Sequence, residues 1–229
     1  MSSSTSFETL HYQRHNQRRQ EHLASLRLPI IGKSVIEVGA GIGDHTSFFL
    51  DRGCEVVSTD GRAQLLEVLK TKHQNITTFE WNVETPAPNG LAASQIVYAY
   101  GLLYHTANPK KALEHMASVC LETLLLETCV SYGSQEVIHF ENEDDDPTQA
   151  LKGLGCRPTR PWIFNNLKKL FAHVYLTTSQ PWHEEFPIDW INGQSRNPQL
   201  LSRSVFVASR TPIINDNLST VLLDYQDRH

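Results

Sequence analysis

The chain has 229 residues, 40% hydrophobic and 20% charged, which is enough for one substantial core and too short for two ordinary domains. A formal charge of −5 argues against a nucleic-acid partner, which would need a basic surface to meet phosphates. No apolar run approaches a membrane span, residues 1–19 do not look like a signal peptide, and Cys54, Cys120, Cys129 and Cys156 form no Cys-x-x-Cys pair. The expectation is a cytoplasmic protein with reduced, mostly buried thiols, no membrane partner and no stated oligomeric state.

Spaced apolar positions Leu10, Leu23 and Leu26 predict a leading helix over about residues 7–28, stopped by Pro29. Ser34–Val38 reads as a short strand entering a glycine loop. Residues 44–52 have helical spacing through Phe48, Phe49 and Leu50, and Gly53 closes that helix as a C-cap. A second strand at 55–59 is followed by a helix marked by Leu65, Leu66, Val68 and Leu69, then by a third strand at 76–79. Pro86, Pro88, Asn89 and Gly90 make a loop before a fourth strand at 95–99. Pro109 stands in the first turn of a helix running to Cys120, and 124–127 is a fifth strand. Such alternation predicts a parallel sheet wrapped by helices.

Beyond Thr128 the pattern changes. Residues 131–159 read as loop-rich, with an acidic run of Glu141, Glu143, Asp144, Asp145 and Asp146. A helix at about 162–171 leads into a strand at 174–177. A connection rich in Pro and Trp, 179–200, precedes a last strand at 203–208. No helical pattern separates those two strands, so they should pair antiparallel, and a connection of that length is more often a functional lid than an idle loop. The tail from Thr211 reads either as partly disordered or as a docked extra element.

The segment Glu37-Val38-Gly39-Ala40-Gly41-Ile42-Gly43-Asp44 carries the main functional signal. Glycines at a strand-to-helix turn allow positive φ and close approach of a ligand. A dinucleotide fingerprint would need its third glycine at position 44, which is Asp44; here the third glycine is Gly43. The acidic Glu37 suits a ligand with an ammonium group and suits a pyrophosphate poorly. Asp60, beside Gly61 at the end of the second strand, stands where a carboxylate can accept both hydroxyls of a ribose. Asn82, next to Val83 after the third strand, could meet an adenine edge.

These residues resemble the class I S-adenosylmethionine-dependent methyltransferases. The family's acidic-x-Gly-x-Gly-x-Gly loop matches Glu37–Gly43 and its ribose carboxylate matches Asp60, while its usual Asp after the third strand is here Asn82. The resemblance spans about residues 33–130. It implies an α/β, Rossmann-like fold: a seven-stranded, mostly parallel sheet with one antiparallel edge strand and helices on both faces. Residues 1–229 would form one methyltransferase domain, with a cofactor-binding core at about 30–130 and acceptor-side elements at about 131–210. S-adenosyl-L-methionine is the implied cofactor, held by Glu37, Gly39, Ala40, Gly41, Gly43, Asp60, Gly61, Asn82, Val83 and Tyr100. Gly101–His105 with Pro109 and Leu124–Thr128 also looks like the branch containing the tRNA wobble-uridine carboxymethyltransferases, where the Tyr matching Tyr104 helps hold a carboxylated cofactor. The long N-terminal extension of those enzymes has no counterpart before Phe7, and the charge does not suit tRNA.

A hydroxyl acceptor must lose a proton during methyl transfer, and His105 is the best-placed base, with His183 in reserve. His105 reads alternatively as a histidine that only hydrogen-bonds its loop. Tyr104, Arg157, Arg160 and Trp182 are the candidate acceptor contacts, the guanidinium forks suiting an anionic group. The two arginines could equally pair with the acidic run or cap a helix, and the aromatic residues could simply pack over the sheet. Glu141–Asp146 lacks the glycine and spacing of a calcium loop, and His183-Glu184-Glu185 falls short of a zinc site, so no metal is expected. Arg14, Arg18 and Arg19 are expected on a solvated helix face, while Tyr12 and its neighbours could close over the cofactor. The expected activity is methylation of a small-molecule acceptor at oxygen; transfer to RNA or protein, or a fold that kept the cofactor and lost catalysis, are the alternatives.

Overall fold

The computed structural model describes residues 7, 9–144, 146, 148–192 and 201–229; the expectations for residues 1–6, for Asp145 and for 193–200 of the long connection lie outside these. The first helix, α1 (Leu10–Ser25), starts where the Thr9 side chain accepts from the Tyr12 backbone N–H at 3.2 Å. Its inner face is polar: His15, Asn16, Arg19 and His22 are buried alongside Leu23. Next come β1 (Ser34–Val38), α2 (Thr46–Leu50), β2 (Glu55–Asp60), α3 (Ala63–Lys72), β3 (Thr77–Glu80) and β4 (Ser94–Tyr100). A short 3-10 turn, Leu103–His105, leads to α4 (Pro109–Ser118) and β5 (Cys120–Cys129). Asn108 caps α4 by accepting from Lys111 N, with Pro109 as first helical residue.

The later elements are β6 (Ile138–Asn142), β7 (Leu154–Pro158), α5 (Arg160–Leu170), β8 (His173–Thr177), β9 (Ser179–Gln180), β10 (Arg203–Ser209), β11 (Leu218–Ser219) and β12 (Asp227–Arg228). The main sheet runs β11-β8-β10-β5-β4-β1-β2-β3. Strands β1 to β5 are mutually parallel. The chain builds outward from β1 through β2 and β3, then returns to place β4 on the other side of β1. That reversal opens a crevice beyond the carboxyl ends of β1 and β4, where open α/β sheets bind ligands.

The mostly parallel α/β architecture agrees with the sequence; three details differ. The sheet has eight strands, because the two-residue β11 adds to the edge. The antiparallel strand β10 is interior, flanked by β5 and β8, since β8 turns directly back along it. Residues 131–159 contain an antiparallel hairpin of β6 and β7. The tail docks: β12 pairs in parallel with β9.

Period-two alternation sorts the core. Val97 and Ala99 of β4, Leu124 and Leu126 of β5, and Phe206 of β10 pack with Leu113 and Met116 of α4 and with Ile163, Phe164 and Leu167 of α5. Their neighbours Ile96, Tyr98, Leu125, Val205 and Val207 face the other way, onto Leu23, Phe48 and Phe49. No helix of the described residues is long and apolar enough to cross a membrane.

Candidate active site

The loop after β1 is pinned to the sheet by Ala40 N donating to Thr59 O at 2.9 Å. Gly39 takes φ +71°, and a Cβ there would come within 2.9 Å of the Leu102 side chain. Gly39 and Gly41 border a cavity of about 290 Å³ at the carboxyl ends of the strands. The structure brings ten of the sequence candidates onto its walls: Gly39, Ala40, Gly41, Asp60, Gly61, Asn82, Val83, Tyr100, Tyr104 and His105.

Asp60 is 8% exposed, and each carboxylate oxygen accepts one backbone N–H: Oδ2 from Gly41 and Oδ1 from Arg62, both at 2.9 Å. Burial nevertheless pushes its pKa above the ordinary 3.8 against those bonds. The Tyr100 hydroxyl is buried beside the cavity without a hydrogen-bond partner. Glu37 lines a small adjoining pocket together with Gly39 and Tyr100. Its carboxylate accepts from Thr46 Oγ1 at 2.6 Å and Ser58 Oγ at 2.9 Å, and burial raises its pKa to about 7.

His105 Nδ1 lies 2.5 Å from Glu143 Oε2, leaving Nε2 as the ring nitrogen open to a ligand. Burial lowers the His105 pKa from 6.5, and Glu143 opposes that shift. Glu143 is itself fixed by the Ala150 N–H at 2.7 Å and by Arg157 Nη1, 3.5 Å from Oε1. The ring of Tyr104 lies beside His105, with centroids 3.9 Å apart, and its hydroxyl is 3.1 Å from Arg203 Nη2. Burial raises the Tyr104 phenol to about 12.

Besides Glu37, five candidates are not on this cavity. Gly43 faces α3, where a Cβ would come within 2.8 Å of Leu69, so its glycine serves helix packing. His183 is buried behind the wall, against the His15 ring at 4.7 Å. Arg157 braces Glu143 and Tyr104 O. Arg160 donates to Leu223 O and lies over Trp190, 4.1 Å from the ring centroid, while Trp182 is 61% exposed.

Sequence reasoning allowed Tyr12 and its neighbours to close over the cofactor, and Tyr12 lines the cavity, but it named neither the other roof residues nor the far wall. His11, His15 and Arg19 of α1 line the cavity, as do Gln149, Leu151, Glu185 and Arg203. The expected solvated face fails at Arg19, which is 4% exposed and donates to Glu127. Glu127, fully buried at the end of β5, also takes Arg203 Nη1 at 3.2 Å, and Arg203 Nε reaches Glu185 Oε2 at 2.6 Å. The i, i+4 spacing of His11, His15 and Arg19 was a usable sign of one polar helix face turned inward.

The donors suit an adenosyl ligand. An acidic pair of oxygens stands at the wall, Gly39 leaves room that a Cβ would fill, and Tyr100 keeps an unpartnered hydroxyl. This sheet order, glycine loop and terminal carboxylate are those of the class I S-adenosylmethionine-dependent methyltransferase fold. Residues 36–122 match the family described as a methyltransferase domain. Solved structures share the fold. The N-terminal domain of EvdMO1, crystallised in the presence of SAH and D-fucose, is 18% identical, with a TM-score of 0.62 over 88% of this chain and 84% of that one. Magnesium protoporphyrin IX methyltransferase from Synechocystis PCC 6803, with bound SAM, is 12% identical, with a TM-score of 0.56 over 88% and 81%. The 1,6-didemethyltoxoflavin-N1-methyltransferase of Burkholderia thailandensis is 18% identical, with a TM-score of 0.56 over 89% and 80%. A search of curated protein sequences gives no match.

Proposed function

We propose that this enzyme methylates a hydroxyl group of a small-molecule acceptor, with His105 as the general base. S-adenosylmethionine supplies an activated methyl group for in-line displacement by the acceptor oxygen. Asp60 and the Gly39–Gly41 loop bind and orient the nucleoside, and Glu37 holds negative charge near the amino-acid end. His105 Nε2 takes the hydroxyl proton, while Glu143 fixes the tautomer and stabilises the imidazolium formed. The observation that carries this reading is the His105–Glu143 pair at 2.5 Å on the cavity wall, an arrangement a merely loop-bonding histidine would not need.

A small molecule fits the roofed cavity, closed by α1 and by residues 148–151, better than a polymer does. Of the similar structures, one was crystallised in the presence of D-fucose and another has 1,6-didemethyltoxoflavin bound beside S-adenosylhomocysteine. A carboxylated cofactor is not favoured, because the charge of Arg203 beside Tyr104 is already met by Glu127 and Glu185. Four buried, unpaired cysteines favour a cytoplasmic setting.

The test is a screen of hydroxylated acceptors, deoxyhexoses among them, with methyl-labelled cofactor. For an acceptor that reacts, His105→Ala is expected to lower kcat at least about tenfold with cofactor affinity nearly intact. Undiminished turnover in that variant, or label transferred only to amines, would defeat the proposal.

A further inference from the structure

Helix α1 sets His11 and His15 one turn apart on one face. The segment between β9 and β10 brings His183, Glu184 and Glu185 against them. His11 Nε2 is 3.3 Å from Glu185 Oε1, His15 Nε2 is 3.8 Å from Glu185 Oε2, and His183 Nε2 is 3.7 Å from Glu184 Oε2. The ring centroids of His15 and His183 are 4.7 Å apart, and those of His11 and His183 are 5.2 Å apart. One ligand atom each from His15, His183 and Glu185 falls within a 4.8 Å span, and the same holds for His11, His183 and Glu184.

Proximity alone would not make this a site. A second observation points to a ligand: His15 Nε2 and His183 Nε2 are buried and have no hydrogen-bond partner, with the residues 4% and 2% exposed. Buried ring nitrogens without partners are costly, and such groups in a native structure commonly mark an absent ion or water. The arginines nearby do not fill the gap. Arg203 Nε donates to Glu185 Oε2 at 2.6 Å, Arg14 donates to Glu184, and Glu185 Oε1 meets His11 Nε2 at 3.3 Å, so no arginine reaches the two unpartnered imidazole nitrogens.

We propose that His15, His183 and Glu185 bind a divalent transition-metal cation at the wall of the active-site cavity, with His11 orienting Glu185 through its 3.3 Å contact. Two imidazoles and one carboxylate, with a position left open for a further ligand, suit zinc, cobalt or nickel, and suit magnesium or calcium poorly. His11, His15 and Glu185 share the cavity lining with Tyr104 and His105, so the cation stands on the acceptor side and can hold an acceptor oxygen there. That use of the ion rests on the O-methylation reading; the binding itself does not. The sequence alone offered only His183-Glu184-Glu185, without the two α1 imidazoles that the fold adds.

The experiment is a Co²⁺ titration of tag-free, chelator-stripped, full-length protein, followed by visible absorption and without cofactor or acceptor. One equivalent should bind with the ligand-field bands of a low-coordinate site, and Zn²⁺ should abolish them. His183→Gln and Glu185→Gln should each weaken Co²⁺ binding at least about tenfold. His11→Ala, at a half-exposed position, guards against loss of folding and should weaken it as well. Absence of the bands, or equal affinity in wild type and His11→Ala, overturns the proposal whatever the acceptor screen shows.

Discussion

Replacing Asp60 by Asn tests the cofactor site with little change of shape. Each carboxylate oxygen already accepts a backbone N–H, Gly41 on one side and Arg62 on the other. Whichever way the amide is turned, its NH₂ faces one of those donors and one acceptor is lost. A hydrogen bond to a charged group contributes about 1.5–3 kcal/mol, so binding of the ribose should weaken by roughly 10- to 100-fold. Folding should respond differently. Burial raises the Asp60 pKa, so its contribution to stability is full below the unfolded value near 3.8 and is lost as pH rises through the folded value. At neutral pH the ionised carboxylate is therefore a cost to the empty protein, and Asn removes it while adding a donor clash. Calorimetry with S-adenosylhomocysteine at pH 7.5 should show the weakened Kd, with the thermal midpoint of the empty protein shifted by a few degrees at most. A Kd within twofold of wild type would refute the assignment of Asp60 to the sugar.

Glu143→Gln removes the carboxylate that orients His105 and raises its pKa, so kcat should fall about tenfold or more and the acid limb of the pH–rate profile should move to lower pH; steady-state kinetics across pH 5–8 checks both. Arg203→Leu leaves Glu127 and Glu185 short of a partner in buried surroundings and should cost about 3–5 kcal/mol, read from urea unfolding. Burial lowers His22 to about 4, so from pH 6.5 down to 4 the unfolded chain takes up a proton that the folded chain refuses, and stability falls. The full difference amounts to roughly 3 kcal/mol. Glu37, raised to about 7, works in the opposite sense between 4.5 and 7, so the clean measurement is the difference between the two proteins: wild type should lose thermal midpoint relative to His22→Gln as pH falls from 6.5 to 4.

The nucleoside end of the site was legible because its determinants are local. Gly39, Gly41 and Asp60 follow directly from the ends of β1 and β2, and a strand end dictates where the next residue points. The acceptor end was illegible where it depends on long-range pairing. His105 was found, since it leaves β4 on the same edge, but its partner Glu143 sits 38 positions away on a hairpin that the acidic composition disguised as a loop. The interior place of β10 was missed for a related reason: the pattern showed an antiparallel strand, and only the register with both β5 and β8 says it is flanked on two sides.

The same limit explains α1. A helix that covers a sheet usually does so with an apolar stripe, and by that rule Arg19, with Arg14 and Arg18, read as a wet face. Here the covered surface is also the cavity wall, and an apolar stripe would take Arg19 away from Glu127 and His11 away from Glu185, leaving Arg203 alone to meet both carboxylates. Arg19 and Arg203 therefore do two things at once: they neutralise the carboxylates at the end of β5 and after β9, and they hold the roof to the sheet through Glu127. A buried ion pair is a weak way to gain stability compared with well-packed apolar groups. Its retention across α1, β5 and β10 is understandable if the cavity needs a polar, rigidly charged wall for its acceptor, since an apolar replacement that preserved the fold would also remove the surface on which a hydroxylated ligand, and the imidazoles beside it, must be held.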